Sequence, residues 1–316
     1  MRSPTASEQS LFSTLQYFLC CHALGFLIVF FNGLLMVGLF LHPRTLGLFF
    51  ALPYITYILV TKVEQKGGAS WPWFSEHFFM FQILRKGLQI EFVDFPNDAP
   101  EKQYFYACHP HGVYSDFRVL IDGMFCQRGA PIKSLAATVL FRLPFIREVA
   151  LWTGCVDARR SVAERCLKSG DSLLVLPGGE AEQIRTKYGR ELIYLKKRKG
   201  FIKLAIRQGV PVVPMYVFGV SDYYYTSDFM ISPRMWIMKN LQICIPLSAG
   251  LGGSPVCPLQ KRTSVVFGEP LKFDQCDDPT PEQLDKAHGA FMDALVSLFD
   301  KHKGRLGYGD RVLEIM

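Results

Sequence analysis

Charge is what the first part of this 316-residue chain lacks, because residues 9–43 contain no Asp, Glu, Lys or Arg. A run of this length leaves no polar face of the kind that a surface helix of a soluble domain needs. Its apolar centre, residues 15–41, would form a helix of roughly 40 Å, longer than a hydrocarbon core of about 30 Å. No small-residue cleavage site follows, which argues against a signal peptide. The run therefore predicts a membrane helix.

A second uncharged run, residues 45–61, follows the break His42-Pro43-Arg44. It would rise roughly 25 Å as a helix, which is marginal for spanning a bilayer. Two apolar helices with so short a break predict a transmembrane or re-entrant hairpin over residues 1–65, with both ends on one side. Lys62 and Lys66 favour the cytosol as that side.

The segment that follows the hairpin opens the second predicted domain, residues 66–316. It begins with a cluster of aromatic residues, which favours a belt at the membrane interface over an ordinary entry to a hydrophobic core. The cluster comprises Trp71, Trp73, Phe74, Phe78, Phe79 and Phe81.

Several common signatures are also missing. None of the nine cysteines forms a C-x-x-C pair, which excludes a zinc ribbon and a thioredoxin-like redox site, and no metal is predicted. There is no internal repeat and no low-complexity tract. A composition with 49% apolar and 20% charged residues excludes a disordered chain. We interpret the cysteines as reduced thiols, mostly in the core, in a chain that faces a reducing compartment.

From residue 104 onward, short apolar runs alternate with amphipathic stretches. This alternation predicts an α/β domain with a largely parallel sheet that is covered on both faces. The helix after Thr280 has the clearest signals, since Pro281 stands at its first position and Gln283 in the place of a capping box. The predicted strands are 104–108, 134–139, 172–176, 210–218 and 264–267, and the other predicted helices are 115–126, 161–168 and 201–208.

The first motif with chemical potential is Cys108-His109-Pro110-His111-Gly112-Val113-Tyr114-Ser115-Asp116, between a predicted strand and a predicted helix. A His at the end of a strand and an Asp in the first turn of the next helix can meet across the turn. Such a carboxylate fixes the imidazole tautomer and leaves the other nitrogen to take a proton. We therefore expect His111 and Asp116 to form a pair, the alternative being a turn with two incidental histidines.

The second motif is Pro177-Gly178-Gly179-Glu180-Ala181-Glu182, which directly follows an apolar strand. Two glycines allow close approach of a ligand to the backbone and offer N–H groups to an anion. Glu182 would lie at the start of the next element and is available there as a supporting carboxylate. No Gly-Lys-Ser/Thr follows, which excludes a P-loop. An ordinary turn at a strand end is the alternative.

The third feature is a basic stretch, residues 185–203, with eight basic residues against one acid, Glu191. Its net charge of +7 equals that of the whole chain. We interpret it as one local patch for a polyanion such as a phosphorylated cofactor or an anionic lipid. A solvated surface face is the usual alternative. Because the rest of the chain is neutral, no nucleic-acid partner is predicted.

In this order, the motifs resemble the type 2 diacylglycerol acyltransferase family, which includes monoacylglycerol and wax-alcohol acyltransferases. The resemblance spans residues 70–270 and rests on His109-Pro110-His111-Gly112, Pro177-Gly178-Gly179 with Glu182, the block from Arg198 to Gly219, and Gly268-Glu269-Pro270. A broader resemblance links the chain to the glycerophosphate and lysophosphatidate acyltransferases, in which an Asp at the fifth position after the His is typical. Asp116 departs in this way from the diacylglycerol group.

The resemblance implies an acyltransferase-like fold and transfer of an acyl group from acyl-CoA to a lipid hydroxyl. It implies His111 as general base, with Asp116, or Glu182 in its place, orienting the imidazolium. Backbone N–H groups at Gly178-Gly179 or Gly112 would stabilise the oxyanion. The remaining implied substrate-binding residues are His109, Pro110 and Pro177 around the site, Arg198, Lys199 and Lys203 at the CoA phosphates, and Arg159 as a weaker candidate.

The resemblance further implies acyl-CoA as co-substrate, with no tightly bound cofactor. Diacylglycerol is the favoured acceptor, and monoacylglycerol, a wax alcohol and a lysophospholipid stay open. Arg118 or Arg142 could supply the basic group that a phosphate-bearing acceptor requires. The expected location is the endoplasmic reticulum membrane with the catalytic domain in the cytosol, and the lipid droplet is a second candidate. Homo-oligomerisation stays open, as does a non-enzymatic protein that binds anionic lipid.

Overall fold

Two apolar helical stretches form the N-terminal part of the computed structural model, which describes residues 6–241 and 243–316. Helix α1, Ala6–Leu41, ends at His42, where the backbone leaves the helical region. The chain then continues as α2, Pro43–Leu46, a wide π turn, Gly47–Ala51, and α3, Leu52–Thr61. The stretches Phe12–Leu41 and Pro43–Gln65 are long and apolar enough to cross a membrane, which agrees with the predicted hairpin.

The hairpin is bonded to the rest of the protein at several points along its length. The Tyr17 hydroxyl donates to the Pro258 carbonyl at 3.0 Å. Asn32 Nδ2 donates to the Pro144 carbonyl at 3.2 Å. A short 3₁₀ turn, Val63–Gln65, ends the hairpin. The helices are therefore fixed against the following domain.

The aromatic cluster after the hairpin divides between core and surface. It lies on and beside α4, Pro72–His77, and α5, Phe79–Gly87. Phe74 and Phe81 are buried, and Trp71, Trp73 and Phe79 are exposed. The buried rings belong to the core of the domain, and a belt at a membrane interface stays a prediction for the exposed ones.

A seven-stranded sheet forms the centre of the domain, in the order β1-β10-β7-β2-β5-β3-β4. Five neighbouring strands, β4, β3, β5, β2 and β7, are parallel. β10 runs antiparallel to β7, and β1 runs parallel to β10. The predicted, largely parallel sheet is thus confirmed. The strands are β1 Glu91–Val93, β2 Phe105–His109, β3 Ile132–Ala136, β4 Cys155–Asp157, β5 Ser172–Val175, β7 Val212–Phe218 and β10 Ser264–Phe267.

Two small sheets accompany the large one. In the first, β6, Glu191–Ile193, pairs in parallel with β11, Leu313–Ile315. In the second, β8, Tyr225–Thr226, pairs antiparallel with β9, Ser248–Ala249. The first of these lies on the segment that contains the basic stretch.

Helices cover both faces of the large sheet, as predicted. On one face, Tyr106 of β2 shares a core with Phe117 and Phe125. On the other face, the next residue of the strand, Phe105, shares a core with Phe291, because side chains alternate along a strand. The helices are α6 Asp116–Cys126, α7 Ile146–Trp152, α8 Arg160–Lys168, α9 Gly179–Gln183, α10 Gly200–Gln208, α11 Ile231–Leu241 and α12 Pro281–Lys303.

The element boundaries follow the sequence signals with one notable shift. At the start of α12, the Thr280 hydroxyl accepts from the Gln283 N–H at 3.2 Å, and the Gln283 side chain accepts from the Thr280 N–H at 2.9 Å. The strand predicted at 134–139 instead ends at Ala136, because the chain turns into a 3₁₀ helix at Thr138–Arg142.

The parallel arrangement brings three sequence motifs to one edge of the sheet. His109 ends β2 and precedes a cis peptide bond to Pro110. Pro177 lies just beyond β5, the neighbour of β2 on one side, and Gly219 directly follows β7, the neighbour on the other. Carboxyl ends of parallel strands are where ligands bind in open α/β sheets. This edge is the candidate site.

Candidate active site

A buried carboxylate, Glu182, joins the two histidines of the first motif. Its Oε2 lies 3.2 Å from Nδ1 of His109 and accepts the Tyr194 N–H at 2.8 Å. Its Oε1 accepts the His111 backbone N–H at 2.5 Å. Burial opposes ionisation, but His109 and the two N–H donors hold the pKa of Glu182 below its usual range. Glu182 is therefore a carboxylate at neutral pH, and it fixes three separate parts of the site.

The two glycines before Glu182 are needed for this approach. A Cβ atom at Gly178 would overlap the Glu182 carboxylate, and Gly179 has a positive φ of 53°. The closest neighbour of this turn is thus Glu182 itself. The Gly179 N–H already donates to the Leu176 carbonyl at 3.0 Å. In the described residues the N–H groups of Gly112 and Gly178 have no acceptor, so these two remain as oxyanion candidates.

His111 is half-buried, and no carboxylate contacts its ring in the part of the chain that the structure describes. Nδ1 lies 3.1 Å from the Gly112 carbonyl, and the Ser115 hydroxyl lies 3.0 Å from Nδ1 and 3.2 Å from Nε2. A proton on Nδ1 that is donated to the carbonyl leaves Nε2 as the acceptor. Burial lowers the pKa of His111, so the neutral imidazole is its form at neutral pH. Gly112 has a φ of 69°, and a Cβ there would overlap Val220.

The predicted pair of His111 and Asp116 is not formed, since no hydrogen bond or ion pair joins them in the described residues. Asp116 instead lies beside Tyr224 and lines a small apolar cavity. Burial raises the pKa of Asp116 to about 6. The carboxylate–imidazole contact of this site joins His109 and Glu182, which are 73 positions apart. Sequence spacing alone could not have identified it.

One member of the basic stretch, Arg198, reaches the glycine turn. Its Nη2 donates to the Gly178 carbonyl at 3.3 Å, and its guanidinium lies 5.2 Å from the centre of the Tyr194 ring. Arg185 lies 5.0 Å from the same ring. Cations at such distances are attracted by the aromatic ring. Two positive charges therefore flank Tyr194 beside the turn.

Four other members of the basic stretch are paired with acids from distant parts of the chain, so the stretch presents less positive charge than the count along the sequence indicates. Lys199 is paired with Asp285, and Lys203 Nζ lies 3.3 Å from Asp278. Lys187 and Arg190 have carboxylate partners as well. Outside the stretch, Arg159 Nε lies 3.5 Å from the Asp157 carboxylate. The four pairs within the stretch are exposed surface contacts.

The described part of the chain contains no group of three His, Cys, Asp or Glu residues that could bind a metal ion. All nine cysteines are free thiols. Burial and the nearby Glu182 carboxylate raise the pKa of Cys108. This thiol, one residue before His109, is therefore held in its unreactive protonated form.

A family model and several known proteins match this chain. The family model "Diacylglycerol acyltransferase" matches residues 39–316. The chain belongs to the diacylglycerol acyltransferase family. Diacylglycerol O-acyltransferase 2 of Homo sapiens is 30% identical over 292 residues, which cover 84% of this chain and 74% of that protein. The protein of the same name from Dictyostelium discoideum is 29% identical, over 80% of this chain and 82% of its own.

Among solved structures, the 1-acyl-sn-glycerophosphate acyltransferase PlsC from Thermotoga maritima is similar, with 17% identity and a TM-score of 0.46. The match covers 92% of this chain and 97% of that one. Family membership confirms the predicted resemblance, and the protein is an acyltransferase.

Proposed function

We propose that this acyltransferase moves an acyl group from acyl-CoA to the hydroxyl of diacylglycerol, forming triacylglycerol. The observation that carries the proposal is a half-buried, neutral His111 whose backbone is fixed by Glu182 at the carboxyl edge of the sheet. The names of the similar proteins support diacylglycerol as the acceptor. The apolar hairpin supports a membrane location, and we propose the endoplasmic reticulum, with the lipid droplet as second candidate.

In this proposal, His111 is the general base. Its Nε2 takes the proton of the acceptor hydroxyl while that oxygen attacks the thioester carbonyl. The tetrahedral intermediate then collapses, the carbon–sulfur bond breaks, and the CoA thiolate takes the proton back from the imidazolium. General base catalysis of this kind contributes about 10²–10⁴-fold in rate.

His109 has the better carboxylate partner, but its position argues against the role of base. Its side chain is fully buried, and its Nε2 has no hydrogen-bond partner among the residues that the structure describes. A substrate hydroxyl must come within hydrogen-bond reach of the base. We therefore assign His109 and Glu182 to the positioning of His111. The Gly112 and Gly178 N–H groups would face the oxyanion, and Arg198 would face the CoA phosphates.

An uncharged acceptor is supported by the state of Arg118, the residue that could have served a phosphate. Its guanidinium is buried on α6, and its Nη1 donates to Cys155 Sγ at 2.6 Å. Its charge is therefore held within the domain, where it helps to lower the pKa of His111, and Cys155 occupies its Nη1. Arg142 is exposed at the end of the 3₁₀ helix after β3.

An apolar cavity between the hairpin and the domain supports a lipid substrate. It has a volume of about 590 Å³. A smaller cavity of about 220 Å³ shares Leu24 and Phe81 with it and extends to Asp116 at the start of α6. The wall of the larger cavity comes from both legs of the hairpin and from α7, including Ile28, Phe31, Tyr54, Phe145 and Trp152. Pockets of this size and character bind apolar ligands.

The test is acyl-CoA-dependent lipid synthesis in membranes of a host that makes no neutral lipid. We expect labelled triacylglycerol from the wild-type protein and a loss of at least about 100-fold with His111→Ala. His77→Ala, which changes an exposed histidine on α4, is the matched control and should keep its activity. Labelled product in another lipid class would show that the enzyme uses a different acceptor, and it would overturn the assignment of diacylglycerol. Full activity of His111→Ala would refute the base assignment.

A further inference from the structure

The C-terminal segment of the chain is bonded to the strand that leads into the site. In the small sheet, Leu313 of β11 pairs with Glu191 of β6, and Ile315 pairs with Ile193. Beyond the strands, the Met316 N–H donates to the Ile193 carbonyl at 2.9 Å, and the Leu195 N–H donates to the Met316 carbonyl at 3.0 Å. The residues on both sides of Tyr194 are thus held by the last residues of the sequence.

This strand pairing orients the backbone N–H of Tyr194 toward the site. Successive N–H groups of an extended chain point to opposite sides. The N–H of Leu195 faces the C-terminal segment, and the N–H of Tyr194 faces the other way, where it donates to Glu182 Oε2 at 2.8 Å. One short stretch of backbone therefore links the C-terminal segment to the carboxylate that holds both histidines.

Arg311 forms two ion pairs beside this stretch of backbone. Its Nη1 lies 2.7 Å from Glu191 Oε1, and its Nη2 lies 2.9 Å from Asp222 Oδ2. Glu191 is fully buried, and its other oxygen accepts from the hydroxyls of Tyr216 and Ser221 at 2.7 and 2.9 Å. A buried carboxylate that loses its cation is left uncompensated, so Arg311 determines whether β6 can stay in place.

We propose that Arg311 is a positioning residue of the active site, acting through Glu191, β6 and the Tyr194 N–H on Glu182. The inference rests on the proposed function, because it assumes that Glu182 orients the catalytic histidine. Arg311 joins Glu191 and Asp222, and no contact of these three residues with His109 or His111 occurs in the described residues. Their effect on catalysis is therefore indirect.

The test compares Arg311→Gln, Arg311→Lys and Arg190→Gln in detergent-solubilised full-length protein. Arg190 bridges the same two strands through Glu314 on the exposed side, so its loss controls for a general weakening of the small sheet. We expect Arg311→Gln to lower kcat by about tenfold or more with little change in the KM for acyl-CoA, because a misplaced catalytic group affects the chemical step. Arg311→Lys keeps the positive charge but lacks the two Nη groups that contact Glu191 and Asp222 at once, so it should recover only part of the rate. Arg190→Gln should stay within about twofold, as expected of an exposed pair.

A pH profile separates positioning from a purely structural role. The Glu182 carboxylate raises the pKa of His111, so a carboxylate that is no longer held by the Tyr194 N–H should let that pKa fall further, and the acid limb of kcat should move to lower pH in Arg311→Gln. An unchanged limb and unchanged kcat in the folded protein would refute the inference. If Arg311→Gln does not fold, the same two readouts in Arg311→Lys decide. Failure of the proposed function is a different result, since the wild-type protein would then make no ester of diacylglycerol.

Discussion

Replacing Glu182 by Gln changes the charge and one acceptor at the centre of the site without changing its size. The carboxylate accepts from three donors, namely His109 Nδ1 and the N–H groups of His111 and Tyr194. An amide has one oxygen, and its NH₂ group must face at least one of these donors. We therefore expect the loss of one hydrogen bond to a charged group and one buried N–H without an acceptor.

The size of the effect follows from those two losses. A hydrogen bond to a charged group contributes about 1.5–3 kcal/mol, and an unsatisfied buried group costs about 1–3 kcal/mol. The two losses add to about 2.5–6 kcal/mol, and even the lower bound would lower the melting temperature by about 5–10 °C in a domain of this size. Because the tether on the His111 backbone is lost as well, triacylglycerol synthesis should fall by about 100-fold, as for a displacement of about 1 Å.

The assay is thermal unfolding in detergent, followed over pH, together with the lipid synthesis assay. The folded state lowers the pKa of Glu182, so its stabilisation is present above the ordinary pKa of a glutamate and is lost as the pH falls through the folded value. The difference between wild type and Glu182→Gln should therefore shrink below about pH 4.3. Glu180→Gln is the matched control on the same turn, because no hydrogen bond to its carboxylate occurs in the described residues. Equal melting temperatures and equal activities for wild type and Glu182→Gln would refute the assigned role.

Three further predictions concern other parts of the site. Gly178→Ala should lower activity by about tenfold or more, since its Cβ would displace the Glu182 carboxylate, whereas Gly200→Ala, at a helical position with open space, should be active. Ile28→Trp should shorten the acyl chains found in the product by filling the larger cavity, and Val29→Trp, on the exposed side of α1, should leave the product profile unchanged. The kcat/KM of the wild type should hold to a pH below about 6.5 before it falls, because burial lowers the pKa of His111, and a fall centred above that value would contradict it.

The fold was predictable where local rules and tertiary packing agree. The capping box at Thr280 and Gln283 marks the start of α12, and the structure forms both of its hydrogen bonds. The alternation of strands and helices predicts the parallel sheet. It does not predict that β10 runs against β7, because the direction of a late strand depends on where the chain returns and not on its residues.

The site was predictable as a set of motifs but not as a set of pairs. The sequence spacing predicted a contact between Asp116 and His111. The carboxylate–imidazole contact in the structure instead joins His109 to Glu182, which lies in the turn after β5. The same limit applies to charge. A count along the chain finds the basic stretch, but the partners of Lys199 and Arg190 lie 86 and 124 positions away. Those acids, Asp285 on α12 and Glu314 on β11, come close to the basic stretch only through the packing of these two elements.

The buried ion pair between Arg147 Nη2 and Glu64 Oε2, at 3.3 Å, joins the end of the second apolar stretch to helix α7. A flexible linker at this point would let the domain move freely relative to the hairpin. A buried pair instead ties the domain to the hairpin, so with the hairpin in a membrane, as proposed, the mouth of the site would stay at a constant height over one leaflet. The enzyme should therefore respond to the mole fraction of acceptor within that leaflet, and diluting the acceptor with inert phospholipid should slow it even when the total amount in the vessel is unchanged.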